Sequence, residues 1–195
     1  MGISLTGSLT ALGFGYAVKT WKKYKLEESL KKYPIETAEL VKINLKDDLQ
    51  VIFGNFKTND FSKDSKKVLV ARLMFGEAEG CSDKEKIAVA HVALNRAKDG
   101  KKWNGETLRE SILKPYQFSC FNKGLDRRVR DPMKHNAKDF QQCLILAEEF
   151  LENKYSDPTN GATFYYNPNL VNPSWAKKLN RVEVPGTIHW FFKEK

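Results

Sequence analysis

Two glutamates, Glu77 and Glu79, straddle one alanine in ARLMFGEAEG (residues 71–80), directly after an apolar run. Stepping back from Glu77 at helical spacing gives Met74, Leu73 and Val70, so this carboxyl continues an apolar stripe. A carboxyl on such a face loses hydration, which disfavours its charged form. Retaining a proton near neutral pH is what a general acid requires. Spacing alone leaves a second reading open, in which Gly76 ends the helix and both glutamates turn into solvent. Further along, PYQFSCF (residues 115–121) combines an amide, a hydroxyl and rings in Gln117, Ser119, Phe118 and Phe121. GATFYYNP (residues 161–168) sets Tyr165 beside Tyr166, and in an extended segment the two face opposite ways. His189 stands among aromatics in TIHWFF, where a lone histidine is more often core than ligand. The three histidines and three cysteines (Cys81, Cys120, Cys143) form neither C-x-x-C nor H-E-x-x-H. No metal or other cofactor is expected, and the cysteines are read as reduced and at least partly buried.

Positioning these groups falls to a set of punctuated helices. SKKVLVARLMF carries the first, and SDKE (residues 82–85) has the capping-box form that opens a second, closed by Gly100. TLRE (residues 107–110) repeats the box before a short helix stopped at Pro115, and Asn136 is placed to cap a third long helix. Asn95 and Arg96 are read as helix-end residues, with a tie from Asn95 to the Glu77 loop as the alternative. DRRVRDPMKH (residues 126–135) is read as a solvated basic loop. The last forty residues turn aromatic, turn-rich and partly β-like; Trp175 and Trp190 are read as packing, with a glycan platform as the alternative. Domain limits of 1–60 for a helical extension and 61–195 for the main domain follow from the polar stretch around residues 57–66.

The ordered set ARLMFGEAEG, ALNR, QFSCF, GATFYYNP and GTIHWFF resembles the SleB/CwlJ-type cell-wall hydrolases, a peptidoglycan-cleaving family, over roughly residues 66–193. The resemblance implies an α+β, predominantly helical fold: a lysozyme- and lytic-transglycosylase-like catalytic domain with a short β and loop cap, behind an N-terminal helical extension. It implies cleavage of the bond between N-acetylmuramic acid and N-acetylglucosamine in peptidoglycan glycan strands, with Glu77 as the single catalytic glutamate and no metal. Gln117, Ser119 and Tyr165 become candidates for substrate binding, followed by Phe118, Tyr166 and His189. The sequence departs from the family pattern at Glu79, commonly Arg, at Cys81, often acidic, and at Lys86, often Gln. Those changes are expected to alter the charge around the acid and at the rim of the site.

A formal charge of +9 favours an anionic partner, but the excess is spread along the chain, against a specific nucleic-acid stripe. A zinc amidase lacks its ligand pattern here; amidase activity on the stem peptide, or a structural virion or envelope protein with a weakly active hydrolase-like domain, remain the competing readings. MGISLTGSLTALGFGYAV has no positive charge before Lys19, unlike a standard signal peptide, and is too interrupted for a strong membrane span. MGISLT fits the loose myristoylation pattern. Residues 1–25 are therefore read as docking on a partner protein or membrane surface. The expected location is the cell envelope, periplasm or exterior, with carriage in a phage virion as one delivery route.

Overall fold

The computed structural model describes residues 56–195, which form one compact unit. The expected docking segment at residues 1–25 and the myristoylation pattern lie outside the described residues. Phe56 and Thr58 belong to the compact unit: the Phe56 ring meets Phe140 at 5.2 Å, and the Thr58 amide donates to the Arg130 carbonyl at 2.9 Å.

Helix α1 (Lys66–Ala78) begins at Ser65, whose hydroxyl accepts the Val68 amide at 3.2 Å. Every residue from Leu69 to Phe75 is buried, so α1 is a central helix rather than one with a single apolar stripe. Its buried charge, Arg72, is compensated on all sides: Nε meets Asp64 at 2.7 Å and a terminal nitrogen donates to the Phe56 carbonyl at 2.6 Å, while another donates to that of Val129. Gly76 does not end α1; the helix runs through it and carries Glu77 in its last turn.

Helix α2 (Asp83–Lys98) starts at Ser82, whose hydroxyl accepts the Glu85 amide at 3.3 Å. The expected capping box is only half made. Instead of returning to Ser82, the Glu85 carboxylate crosses to the C-terminal segment, accepting the amides of Ile188 at 3.0 Å and His189 at 2.8 Å. Gly100, at φ +73°, follows the helix as expected. Helix α3 (Leu108–Leu113) is capped by Thr107, and Glu110 reaches back to the Glu106 amide at 2.9 Å. After the short α4 (Arg127–Arg130) comes α5 (Pro132–Leu151), broken at Asn136, whose side chain caps the long remainder by accepting the Asp139 amide at 3.2 Å. Phe75 meets Phe140 edge-on at 5.6 Å to join α1 to α5, and the buried Lys86 joins α2 to α5 through Asp139 at 2.7 Å. Among the described residues no helix is long and apolar enough to cross a membrane.

Three short strands, β1 (Phe164–Tyr166), β2 (Asn180–Val182) and β3 (Trp190–Lys193), form an antiparallel sheet in the order β1-β3-β2. Tyr165 and Val182 both oppose Phe191, so these three share the face that packs on Ala88 and Val92 of α2. Tyr166 and Phe192 take the opposite face, where they stack at 5.4 Å under Trp175. The helical body with a small β cap is thus as the sequence predicts.

Candidate active site

Glu77 is half-buried at the C-terminal end of α1, and its carboxylate accepts hydrogen bonds from three groups. The Ser119 hydroxyl donates to Oε1 at 3.2 Å, the Cys120 amide to the same oxygen at 3.0 Å, and the Tyr165 hydroxyl to Oε2 at 2.8 Å. The surroundings of this carboxyl are therefore donors rather than the apolar wall suggested by its stripe. Burial first, and then the negative charge of Glu77, push the Tyr165 phenol well above its ordinary value. Tyr165 thus keeps its proton across the working range and remains a donor.

Each donor is delivered by a specific piece of packing. Ser119 and Cys120 lie on a 3₁₀ turn (Ser119–Phe121) that crosses α1 at Gly76. A Cβ at Gly76 would stand 2.5 Å from Cys120 Cβ, 2.6 Å from its Sγ and 2.7 Å from Val129 Cγ1, so the contact requires a glycine. Arg96, buried at the end of α2, donates to the carbonyls of Thr163 at 2.7 Å and Gln117 at 3.1 Å, with its guanidinium 4.7 Å from the centre of the Phe118 ring. One side chain therefore fixes both segments that carry donors to Glu77. Asn95 ties neither the helix end nor the Glu77 loop. Its amide holds the turn before β1, donating to Asp157 at 2.9 Å and the Ala162 carbonyl at 3.1 Å.

Of the residues singled out from sequence, Ser119 and Tyr165 meet at Glu77. Gln117 lies half-buried beside them, its amide reaching the Trp103 carbonyl only at 3.5 Å. Phe118 is 1% exposed beneath Arg96, so it supports the turn and offers no ring face to a sugar. Tyr166 is on the far face of the sheet, packed against Phe192 and Trp175, because adjacent strand residues point oppositely. His189 sits behind Tyr165, ring to ring at 5.3 Å, with Nδ1 2.6 Å from Glu85. Cys120, expected only to be buried, supplies its backbone amide; Gly76 and Arg96 were not assigned site roles from the sequence. The signal for Gly76 was its position inside a strongly helical pattern, where glycine is disfavoured unless something packs closely against it.

Glu79 uses both oxygens elsewhere, pairing with Arg128 at 2.6 Å and accepting the Asn136 amide at 3.2 Å. Arg128 also donates to the Gly76 carbonyl at 3.2 Å. The basic segment is accordingly not a purely solvated loop: Arg128 closes the end of α1, and Arg130 pairs with the buried Asp126 at 2.6 Å. The charge brought by Glu79 is neutralised locally. Lys86, the other charged departure, donates to the Cys81 carbonyl at 3.1 Å and to Asp139, so it braces the loop after Glu77.

Two carboxylates that brace the cap make its stability depend on pH. Burial pushes Glu85 upward, but the His189 side chain and the amides of His189 and Ile188 outweigh it and hold the group below its ordinary value of 4.5. Asp157 is likewise pushed up by burial and brought below 3.8 by Thr159, Asn95 and the Gly161 amide. Because the unfolded chain takes up these protons more readily, their stabilisation is complete above the ordinary values and is lost as pH falls through the folded ones. Thermal midpoints should therefore drop as pH falls below about 4.5, and Glu85→Gln and Asp157→Asn should each flatten that dependence. An unchanged slope in both variants contradicts this assignment.

A family model described as Cell Wall Hydrolase matches residues 80–192. Glu77 lies just before that segment, whereas Arg96, Ser119, Cys120 and Tyr165 lie within it. Among solved structures, the catalytic domain of the germination-specific lytic transglycosylase SleB from Bacillus anthracis is 22% identical, covering 67% of this chain and 98% of that one, with a TM-score of 0.49. The catalytic domain of the Bacillus cereus SleB protein is also 22% identical, covering 70% and 95%, with a TM-score of 0.48. No curated protein matches the chain.

Proposed function

Given that the chain belongs to the cell wall hydrolase family, we propose that it cleaves peptidoglycan glycan strands between N-acetylmuramic acid and N-acetylglucosamine as a lytic transglycosylase, with Glu77 as acid and then base. The observation that carries this reading is the half-buried carboxyl of Glu77, aimed by Ser119, Cys120 and Tyr165 from two separate segments.

The geometry also favours one oxygen for the proton. Oε1 receives the Cys120 backbone amide, a donor that cannot be turned around, so Oε2 is the oxygen to protonate. In the resting acid the Tyr165 hydroxyl can rotate to accept that proton's hydrogen bond; on binding, the glycosidic oxygen replaces it as acceptor, and Tyr165 donates again once the proton has left. In the forward step Glu77 protonates the glycosidic oxygen, and the bond to the muramic-acid anomeric carbon breaks. The new carboxylate, near the buried Arg96 charge, then removes the proton from the same sugar's 6-hydroxyl as that oxygen closes on the carbon.

A two-carboxylate mechanism needs a second free acid as nucleophile or water-activating base. Glu79 has both oxygens engaged, and Glu85 is buried and bonded to the 188–189 segment. An intramolecular nucleophile removes that need because it is already held at high effective concentration. Digestion of purified peptidoglycan followed by mass spectrometry is expected to give 1,6-anhydro-muropeptides. Free reducing ends would instead mean a lysozyme-like hydrolase, released stem peptides an amidase, and no products a structural role.

A further inference from the structure

Cys81, Glu85 and His189 have no assigned part in the proton transfers at Glu77, yet they converge. Their ligand-type atoms all lie within 4.8 Å of one another, the one such group of three among the described residues. They come from three places: the loop after α1, the first turn of α2 and the segment before β3. Glu85 is 1% exposed and the His189 side chain 11%, with Cys81 half-buried at the opening. We propose that this group is a binding site for one thiophilic divalent cation of the zinc class.

The donor chemistry selects the ion. A thiolate and an imidazole favour zinc or cobalt over magnesium or calcium, which prefer all-oxygen shells. Charge balance agrees, since a dication against one thiolate, one carboxylate and a neutral imidazole leaves a neutral set, the form that burial tolerates. Glu85 Oε1 takes all three bonds from the 188–189 segment, leaving Oε2 as the oxygen that turns to the ion. Tetrahedral ligands at 2.0–2.3 Å stand about 3.4 Å apart. His189 Nδ1, now 2.6 Å from Glu85 Oε1, therefore backs away from Glu85 by about 1 Å. Water completes the fourth position.

A cysteine thiol is ordinarily protonated near neutral pH, and Cys81 enters in that form. On binding, sulfur exchanges its proton for the metal and the proton goes to solvent. The imidazole becomes the tautomer with its proton on Nε2, freeing Nδ1 to ligate. Neither electron transfer nor a further reactant is involved. The group adjoins the Glu77 site where the His189 ring meets Tyr165 at 5.3 Å.

Titrating the chelator-treated full-length protein with Co²⁺ tests the site by a readout separate from glycan cleavage. One equivalent should produce the near-ultraviolet thiolate-to-cobalt charge-transfer band together with visible bands of tetrahedral intensity. Cys81→Ser should abolish the charge-transfer band and weaken Zn²⁺ binding by at least about tenfold, while Cys143→Ser should retain both. Should Cys81→Ser fold poorly, His189→Gln serves as the second variant, with loss of the tetrahedral visible bands and weakened Zn²⁺ binding expected. A wild-type protein that shows no stoichiometric band overturns the proposal, as does an undiminished band in Cys81→Ser.

Discussion

Replacing Glu77 by Gln is expected to lower glycan cleavage by about 10³-fold, within the range for losing a positioned acid–base group. The variant should keep its fold. The carbonyl of the introduced glutamine can still accept from Ser119 and the Cys120 amide, and its side-chain nitrogen can donate to the Tyr165 oxygen. Stability should therefore change by no more than about 1 kcal/mol. The loss belongs in turnover rather than in substrate affinity, because the proton is needed only as the bond breaks. Rates of dye release from labelled peptidoglycan, measured beside thermal midpoints, check both halves. Activity within about threefold of wild type, against that expected range, would place the acid elsewhere.

Gly76→Ala carries the second large effect, through a residue with no side chain to offer the substrate. The added Cβ collides with Cys120 and Val129 at 2.5–2.7 Å, and both neighbours are buried. The atoms it meets include the Cβ of Cys120, so turning a flexible side-chain end is not enough to relieve the clash; the 3₁₀ turn itself must move away from α1. Overpacking of this kind costs about 1–3 kcal/mol, set against a helix-propensity gain of up to about 1 kcal/mol for alanine over glycine. A net loss of about 1 kcal/mol in stability follows from those two ranges. Activity should suffer more. Moving the Ser119 hydroxyl and Cys120 amide by about 1 Å removes two of the three donors to Glu77, and such a misplacement costs about 10²-fold. A fully active Gly76→Ala would mean that this turn does not aim the acid.

The outline of this site was legible in the sequence because its polar residues sit in short, ordered segments bounded by strong helix signals. Ser65, Ser82, Thr107 and Asn136 all cap as their residue types predict. What spacing could not reveal is the partner of a side chain that leaves its own element. Glu85 has the local pattern of a capping box, yet its carboxylate finds two amides more than a hundred positions away. Arg96 reads as an ordinary helix-end cation, whereas it joins the Thr163 and Gln117 carbonyls across the core. Phe118 was legible as aromatic but not as buried beneath Arg96. Strand alternation set Tyr165 and Tyr166 on opposite faces, but not which of them meets Glu77. Glu79 illustrates the same limit: its charge looks disruptive in a linear reading and is cancelled in space by Arg128.

The most direct measurement of the central claim is digestion of purified peptidoglycan in H₂¹⁸O by the wild-type protein and by Glu77→Gln in parallel, with the muropeptides read by mass spectrometry. Wild type should release anhydro-muropeptides without ¹⁸O, since the oxygen that closes on the muramic-acid carbon comes from the sugar itself, and the variant should release almost none. One ¹⁸O atom at each new muramic-acid end, or an equal yield from Glu77→Gln, would contradict the account.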